Sequence, residues 1–384
     1  MSKMLKKPLL LLAVFMLFTL AACGNNNSES SEEKTSDGGK IDAKIGVISI
    51  LSGSGSAYGE AITNGFKLAQ KEINEKGELN IELLVEDSAG EQEQALSAAQ
   101  KIMSDDEVVA ILGPTLSTEM NVVGPEADLN GIPIMGTSTT AKGIPQIGEY
   151  VFRNSLPEEI AIPAAIEKAV EKYDAKKVAL IYGNDDVLTK SGFDTMEKTA
   201  KDMKLDIVTI ETFQKGQSDY NAQLTKIKEL KPDLILSSAL YNEGAVIMDQ
   251  ARKMGITVPF VGGNGFNSPK VIEIAGDASE GLIVATPWFA EKEDPKVQEF
   301  VKNYEAEYGL APDQFAAQAY DALYIMAEGL KNAGEADRDA LRDAIAEIKD
   351  LEGILGKFSF DKDGDIVMEP SVVTIKDGKF QLFE

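Results

Sequence analysis

From Lys44 onward, short runs of β-branched and aliphatic residues alternate with longer amphipathic segments, and that rhythm admits few folds. Apolar runs without polar alternation suit strands buried on both faces, and the segments between them suit helices covering a parallel sheet. Ile45–Leu51 reads as a strand, Tyr58–Asn74 as a helix, Asn80–Glu86 as a strand, Gln92–Met103 as a helix and Val108–Leu112 as a strand. A helix over Ser117–Leu129 and a strand over Ile132–Met135 complete one doubly wound half. The pattern then restarts with helices at Glu158–Tyr173, Thr189–Met203, Asp219–Leu230 and Glu243–Met254. Strands at Lys177–Tyr182, Asp206–Glu211, Asp233–Ser237 and Val258–Val261 alternate with them. The fold class is therefore α/β, with two Rossmann-like, doubly wound lobes of similar length.

After a strand at Leu282–Ala285 the chain turns helical at Asp294–Tyr308, Asp313–Lys331 and Arg338–Ile348. It then returns to strand at Lys357–Phe360, Val372–Ile375 and Phe380–Phe383, the last two joined by an Asp377-Gly378 turn.

Lys3, Lys6 and Lys7 precede an apolar run from Leu9 to Leu20, the pattern of an export signal and too short for a spanning helix. The Leu20-Ala21-Ala22-Cys23 stretch resembles the lipobox of bacterial lipoproteins, which implies cleavage before Cys23 and acylation of the new N-terminal cysteine. An ordinary cleaved signal with a leftover thiol is the alternative. Cys23 is the single cysteine, so no intrachain disulfide forms and the core alone must stabilise the protein. Residues 23–41, almost devoid of apolar side chains, read as a disordered tether between lipid and domain.

The chain of 384 residues carries a net charge of −25, and residues 1–22 hold three lysines and no acid, so the remainder stands at −28. Such a surface disfavours nucleic acid and anionic headgroups. There is no histidine, which removes the commonest general base and every Ser-His triad. No nucleophile elbow or P-loop is present, and the one S-x-x-K match, Ser31 to Lys34, lies in the tether. Neither a metal nor a cofactor is expected, and the chain does not read as an enzyme. A secreted hydrolase working in the cleft remains the rival class.

Ligands of open α/β sheets bind beyond the carboxyl ends of the strands. The first strand is followed by Ser52-Gly53-Ser54-Gly55-Ser56-Ala57-Tyr58-Gly59, which is either a close-approach loop with Tyr58 as a lid or a plain connection. The third strand ends in Gly113-Pro114-Thr115-Leu116-Ser117-Thr118 and the next in Gly136-Thr137-Ser138-Thr139-Thr140. Amides and hydroxyls at two such ends, side by side, would hold a carboxylate without a cationic side chain. Asp361-Lys362-Asp363-Gly364-Asp365 misplaces its glycine and glutamate for a calcium loop and reads as a tight turn. Glu91, Glu93, Glu167 and Glu171 read as solvated helix faces, and Trp288 as core or cleft wall.

Over Lys44 to the C-terminus the chain resembles the type I periplasmic binding proteins, in the leucine/isoleucine/valine-binding branch that serves ABC transporters. The carriers are IGVISILSGSGSAYGEAITNGFKLA, AILGPTLSTE, GIPIMGTSTT, QARKMGITVPFVGGNGFNSP, IAGDASEGLIVATP and FDKDGD. The resemblance implies two lobes joined by a three-strand hinge crossing near Pro157, Pro287 and Pro370. Residues 42–157 with 288–369 would form lobe I, and residues 158–287 with 370–384 lobe II. It implies capture of a small ligand, most simply a branched-chain or other amino acid, by a lipid-anchored monomer on the extracytoplasmic membrane face that delivers it to a permease and its ATPases. A receptor-coupled sensory role is the variant of that reading.

The resemblance also places Ser117 and Thr140 on the ligand carboxylate, Ser138 near the amino group with Thr139 beside it, and Tyr58 and Phe315 as aromatic walls. Leu188 and Leu240 stand where the branch has aromatic residues, with Tyr241 adjacent, and Asn264 stands where it has an acid for the ammonium. Glu243 or Asp185 would take over that duty, or the ligand is a small amide or carboxylic acid.

Overall fold

The computed structural model describes residues 40–384. The export signal, Cys23 and all but the end of the tether therefore lie outside the described residues. That tether was expected to reach Ile41, yet Ile41 opens the first strand, because the polar residues Asp42 and Lys44 still pair in parallel register with the next strand.

Strands β1 (Ile41–Ser49), β2 (Leu79–Asp87), β3 (Val108–Leu112), β4 (Ile134–Gly136) and β5 (Val151–Arg153) form one parallel sheet, in the order β2-β1-β3-β4-β5. Helices α1 (Ser56–Lys76), α2 (Gln92–Met103) and α3 (Ser117–Leu129) connect them. Ile45, Val47, Ile111 and Leu112 are fully buried, as a sheet covered on both faces requires.

The second set comprises α4 (Glu158–Tyr173), β6 (Lys177–Gly183), α5 (Val187–Asp202), β7 (Asp206–Phe213), α6 (Asn221–Leu230), β8 (Leu234–Ser238), α7 (Tyr241–Lys253), β9 (Phe260–Gly262), α8 (Lys270–Ala275) and β10 (Ile283–Thr286). After it come α9 (Pro295–Tyr308), α10 (Gln314–Ala333) and α11 (Arg338–Ala346), then β11 (Leu351–Gly353), β12 (Gly356–Phe360), β13 (Ile366–Val367), β14 (Ser371–Lys376) and β15 (Lys379–Leu382). The second sheet runs β15-β14-β10-β9-β8-β6-β7, so the closing hairpin adds antiparallel strands to a parallel core. Its turn carries positive φ at both Asp377 (53°) and Gly378 (70°), the backbone a two-residue hairpin needs.

The polypeptide thus passes between the layers of the two sheets at 154–157, 287–294 and 368–370. Helix α10 returns to lie along α1, and the two backbones come so close at Gly65 that a Cβ there would stand 2.2 Å from the Ala316 carbonyl oxygen. This approach sets Tyr58, near the start of α1, against Phe315, near the start of α10, with ring centroids 4.8 Å apart.

Gly65→Ala is expected to force α1 from α10 and to destabilise the protein by about 1–3 kcal/mol, read as a lowered midpoint in thermal or denaturant unfolding.

Candidate functional site

The loops at the carboxyl ends of β1, β3 and β4 face those that follow β6, β8 and β9. Tyr58, Thr115, Leu116, Ser138, Leu188, Leu240, Asn264, Gly265 and Phe315 line a common cavity between them. Six residues singled out from sequence therefore line this one cavity, from both sides: Tyr58, Ser138, Leu188, Leu240, Asn264 and Phe315. The enclosed space is about 10 Å3, room for about one water molecule. A metabolite enters only if the walls part.

What holds the walls together is a set of bonds from one side to the other. The Tyr58 hydroxyl donates to the Gly265 carbonyl (2.6 Å) and accepts from the Tyr241 amide (2.9 Å), and the two rings meet edge to face at 4.7 Å. Burial pushes the phenol well above its ordinary pKa, so it stays a neutral donor and acceptor. It acts as a buried rivet between the two sides. The Tyr241 hydroxyl and the Asn242 amide both donate to the Ser54 carbonyl at 2.5 Å. Further out, the Thr118 hydroxyl donates to Asp186 (2.5 Å), the Lys142 amide to Ser191 (2.9 Å) and the Lys215 ammonium to the Gly90 carbonyl (3.1 Å) and Glu91 (3.2 Å). Glu91 is thus exposed but paired.

Behind the wall made by β3 and β4, Ser117 is fully buried at the start of α3 and its hydroxyl oxygen accepts from the Ala141 amide (3.2 Å). That bond ties the two strand-end loops together and leaves the Ser117 O–H free to donate. The hydroxyls of Thr139 and Thr140 are buried without a partner. The Ser138 hydroxyl donates to the Thr115 carbonyl (2.5 Å). Two uncommitted hydroxyl donors beside a helix N-terminus, at Ser117 and Thr140, suit an anion.

Arg153, 1% exposed, holds this loop from below by donating to the carbonyls of Thr139 (3.2 Å) and Ala141 (2.7 Å). Its other nitrogens form a fork with Asp365 at 2.7 and 2.6 Å. The Asp361–Asp365 segment is the tight turn its sequence indicated, closed by the Asp361 amide on the Asp365 carbonyl (2.8 Å), and it supplies this counter-charge. Sequence reasoning missed Arg153 because the three-residue β5 is too short to show a period.

Glu243 and Asp185 accept from the backbone amides of Gly216 and Lys215 in the loop after β7, and neither lines the cavity, which is equally true of Glu158. The carboxylate standing nearest the Asn264 segment is Glu158, at the start of α4. Its amide donates to the Thr140 carbonyl (3.1 Å), its Oε1 accepts from the Asn264 amide (3.1 Å), and its Oε2 is buried without a partner. Burial, reinforced by the nearby Asp186 charge, pushes its pKa up to about 8. The Asn264 side-chain oxygen accepts from Gln314 (2.6 Å), which makes that amide a poor partner for an ammonium. Trp288 proves to be core, 3% exposed and packed edge to face on Phe300.

A family model described as periplasmic binding protein matches residues 42–379. The chain belongs to the periplasmic binding protein family. Within this family of solute-binding proteins, it is 27% identical over 328 residues to the leucine-, isoleucine-, valine-, threonine- and alanine-binding protein of Pseudomonas aeruginosa, covering 84% of this chain and 87% of that protein. The branched-chain amino acid transporter substrate-binding protein LivJ of Streptococcus pneumoniae, solved with isoleucine, is 32% identical, with a TM-score of 0.83 over 88% of this chain and 98% of that one. The leucine-binding protein LivK of Thermotoga maritima is 26% identical, with a TM-score of 0.84 over 89% and 98% of the two chains. The α/β architecture of this periplasmic binding protein is therefore that of LivJ and LivK.

Replacing Asp365 by Ala leaves a buried guanidinium without its counter-charge, and the expected cost is about 3–5 kcal/mol, measured by denaturant unfolding, with ligand affinity falling alongside as the Thr139–Ala141 loop loosens.

Proposed function

We propose that this protein captures an α-amino acid with an aliphatic side chain in the cavity between the two sheets and delivers it to an ABC permease. The observation that carries this reading is the composition of the cavity. Leu116, Leu188, Leu240, Tyr58 and Phe315 offer an apolar sheath, while uncommitted hydroxyls gather behind one wall and the half-satisfied Glu158 carboxylate lies behind the Asn264 side, outside the cavity lining.

In this reading the carboxylate of the ligand docks first on the loops after β3 and β4, taking the free O–H of Ser117 and the hydroxyl of Thr140. Ser138 and Thr139 shape the same loop. The side chain lies among the leucines and the two aromatic rings. The ammonium is met by Glu158, whose unpartnered oxygen gains an opposite charge. Rotation about the crossings at 154–157, 287–294 and 368–370 then brings Tyr241, Asn264 and Leu240 onto the ligand. The moving bodies are residues 42–157 with 288–369 and residues 158–287 with 370–384. Contacts from both bodies favour the closed form, so binding is a population shift. An affinity near micromolar corresponds to about −8 kcal/mol.

Cys23 would anchor this protein to the outer face of the cell membrane as a monomer. Among the described residues no helix is long and apolar enough to cross a membrane. Asn264 favours a second candidate, a neutral amide or plain carboxylic acid, which needs no counter-charge for an ammonium. Calorimetric titration with isoleucine, leucine, aliphatic amides and small carboxylic acids separates the two. Binding of amides or acids with none of the amino acids would overturn the amino-acid reading.

Ser117→Ala and Thr140→Ala are each expected to weaken amino-acid binding by about 1–3 kcal/mol; unchanged affinity in both would place the carboxylate elsewhere. Glu158→Gln should cost about 1.5–3 kcal/mol with an amino acid and little with the corresponding carboxylic acid. The raised pKa of Glu158 adds a pH signature. A ligand ammonium lowers that pKa from about 8, so binding near neutral pH releases a proton and affinity climbs as pH approaches 8, then levels off. Titrations in buffers of different ionisation enthalpy read this release, and Glu158→Gln should abolish it.

A further inference from the structure

A second pocket, of about 390 Å3, lies between the second sheet and the segment that leads into α10 and opens to solvent past Glu291, Glu305 and Lys379. Its apolar walls include Ile272, Trp288, Phe289, Val301 and Phe380. The two cavities share no lining residue, yet they meet at one hydrogen bond. Asn264 lines the smaller cavity, Gln314 lines the larger, and Gln314 Nε2 donates to Asn264 Oδ1 at 2.6 Å. The start of α10 is thus a wedge, with Phe315 facing the small cavity and Gln314 the large one.

This contact is braced. The single proton of the Thr286 hydroxyl has two acceptors in reach, the Trp288 carbonyl (2.6 Å) and Gln314 Oε1 (2.8 Å), and the hydroxyl accepts from the Trp288 amide (3.2 Å), at the crossing between β10 and α9. Asn264, Thr286 and Gln314 are 7%, 2% and 3% exposed, so displacing either amide would strand a buried polar group. On this side the small cavity ends at the amide pair, while a pocket volume many times larger lies one residue beyond.

We propose that the Gln314–Asn264 pair is a specificity-determining partition: it sets the length of side chain the site accepts, and holds ligands out of the apolar cavity behind it. The proposal rests on the amino-acid reading of the site and names the residues that bound its substrate class. Opened, the partition would admit α-amino acids with long unbranched alkyl chains. Their tails would run past Asn264 towards Ile272 and Phe380.

The test is calorimetric titration of isoleucine and 2-aminooctanoic acid into the wild type, Gln314→Ala, and the double variant Gln314→Ala, Ile272→Trp, with thermal melting of each. The wild type should prefer isoleucine by at least tenfold, Gln314→Ala should bind 2-aminooctanoic acid at least tenfold more tightly than the wild type does, and Ile272→Trp should reverse that gain by refilling the second cavity. Should Gln314→Ala not fold, Asn264→Ala opens the same contact from the other side and is expected to give the same gain. Isoleucine binding with an unchanged preference in the opened variants, or a gain that survives Ile272→Trp, would overturn the partition alone. A wild type that binds neither amino acid would instead remove the reading on which it rests.

Discussion

One phenol oxygen carries more of this structure than any other atom. Tyr58 stands in the first turn of α1, and its hydroxyl is shared between the Gly265 carbonyl, just after β9, and the amide of Tyr241, the first residue of α7. A buried hydroxyl that both donates and accepts has spent its only proton. Its two bonds exist only while the two sheets face each other at this separation. The same ring touches Tyr241 and Phe315 at 4.7 and 4.8 Å, so the apolar core runs without interruption from one sheet to the other. Separating the sheets costs those contacts, and a ligand must replace them.

The supporting parts follow from that constraint. A site that opens and closes needs loops that do not rearrange each time, and here they are fastened from behind. Arg153 grips the Thr139–Ala141 loop and is neutralised by Asp365 from a turn more than two hundred residues away in the chain. Ser117 ties the loop after β3 to the loop after β4. Glu119, buried at the start of α3, accepts from the Leu116 amide at 2.8 Å and satisfies the helix end next to the cavity. Its burial pushes its pKa up to about 7. Among the polar groups left without a partner are the Thr140 hydroxyl and one Glu158 oxygen, the groups that the proposed amino acid would use.

The alternation of apolar runs and amphipathic segments made the two sheets legible before any coordinates. Most helices began and ended within two or three residues of their expected positions, because a helix covering a parallel sheet shows its period over several turns. Short elements escaped for the same reason. Val151–Arg153, Leu351–Gly353 and Ile366–Val367 hold too few residues for a period, and the first of these carries the arginine that supports the site. Of the cavity wall, Tyr58 and Ser138 were legible in strand-end loops rich in glycine and hydroxyls, whereas Leu188, Leu240, Asn264 and Phe315 came only through the family resemblance. The counter-charge was not legible. Glu158 reads in sequence as an ordinary acidic residue in a first helical turn. Its burial depends on the chain doubling back at 154–157, where no local signal reports it. Glu243 and Asp185 looked better placed because they follow strand ends, but the amides of the loop after β7 claim them.

The central claim is that a metabolite closes two bodies across one cavity, and a distance measured across its mouth tests that most directly. Spin labels at Glu93, in the first turn of α2, and Gln214, in the loop after β7, stand on opposite sides where Lys215 reaches Glu91. With Cys23 replaced, double electron–electron resonance should give a longer, broader distance distribution without ligand and a shorter, narrower one with saturating isoleucine. Identical distributions with and without a ligand that calorimetry shows to be bound would contradict the account.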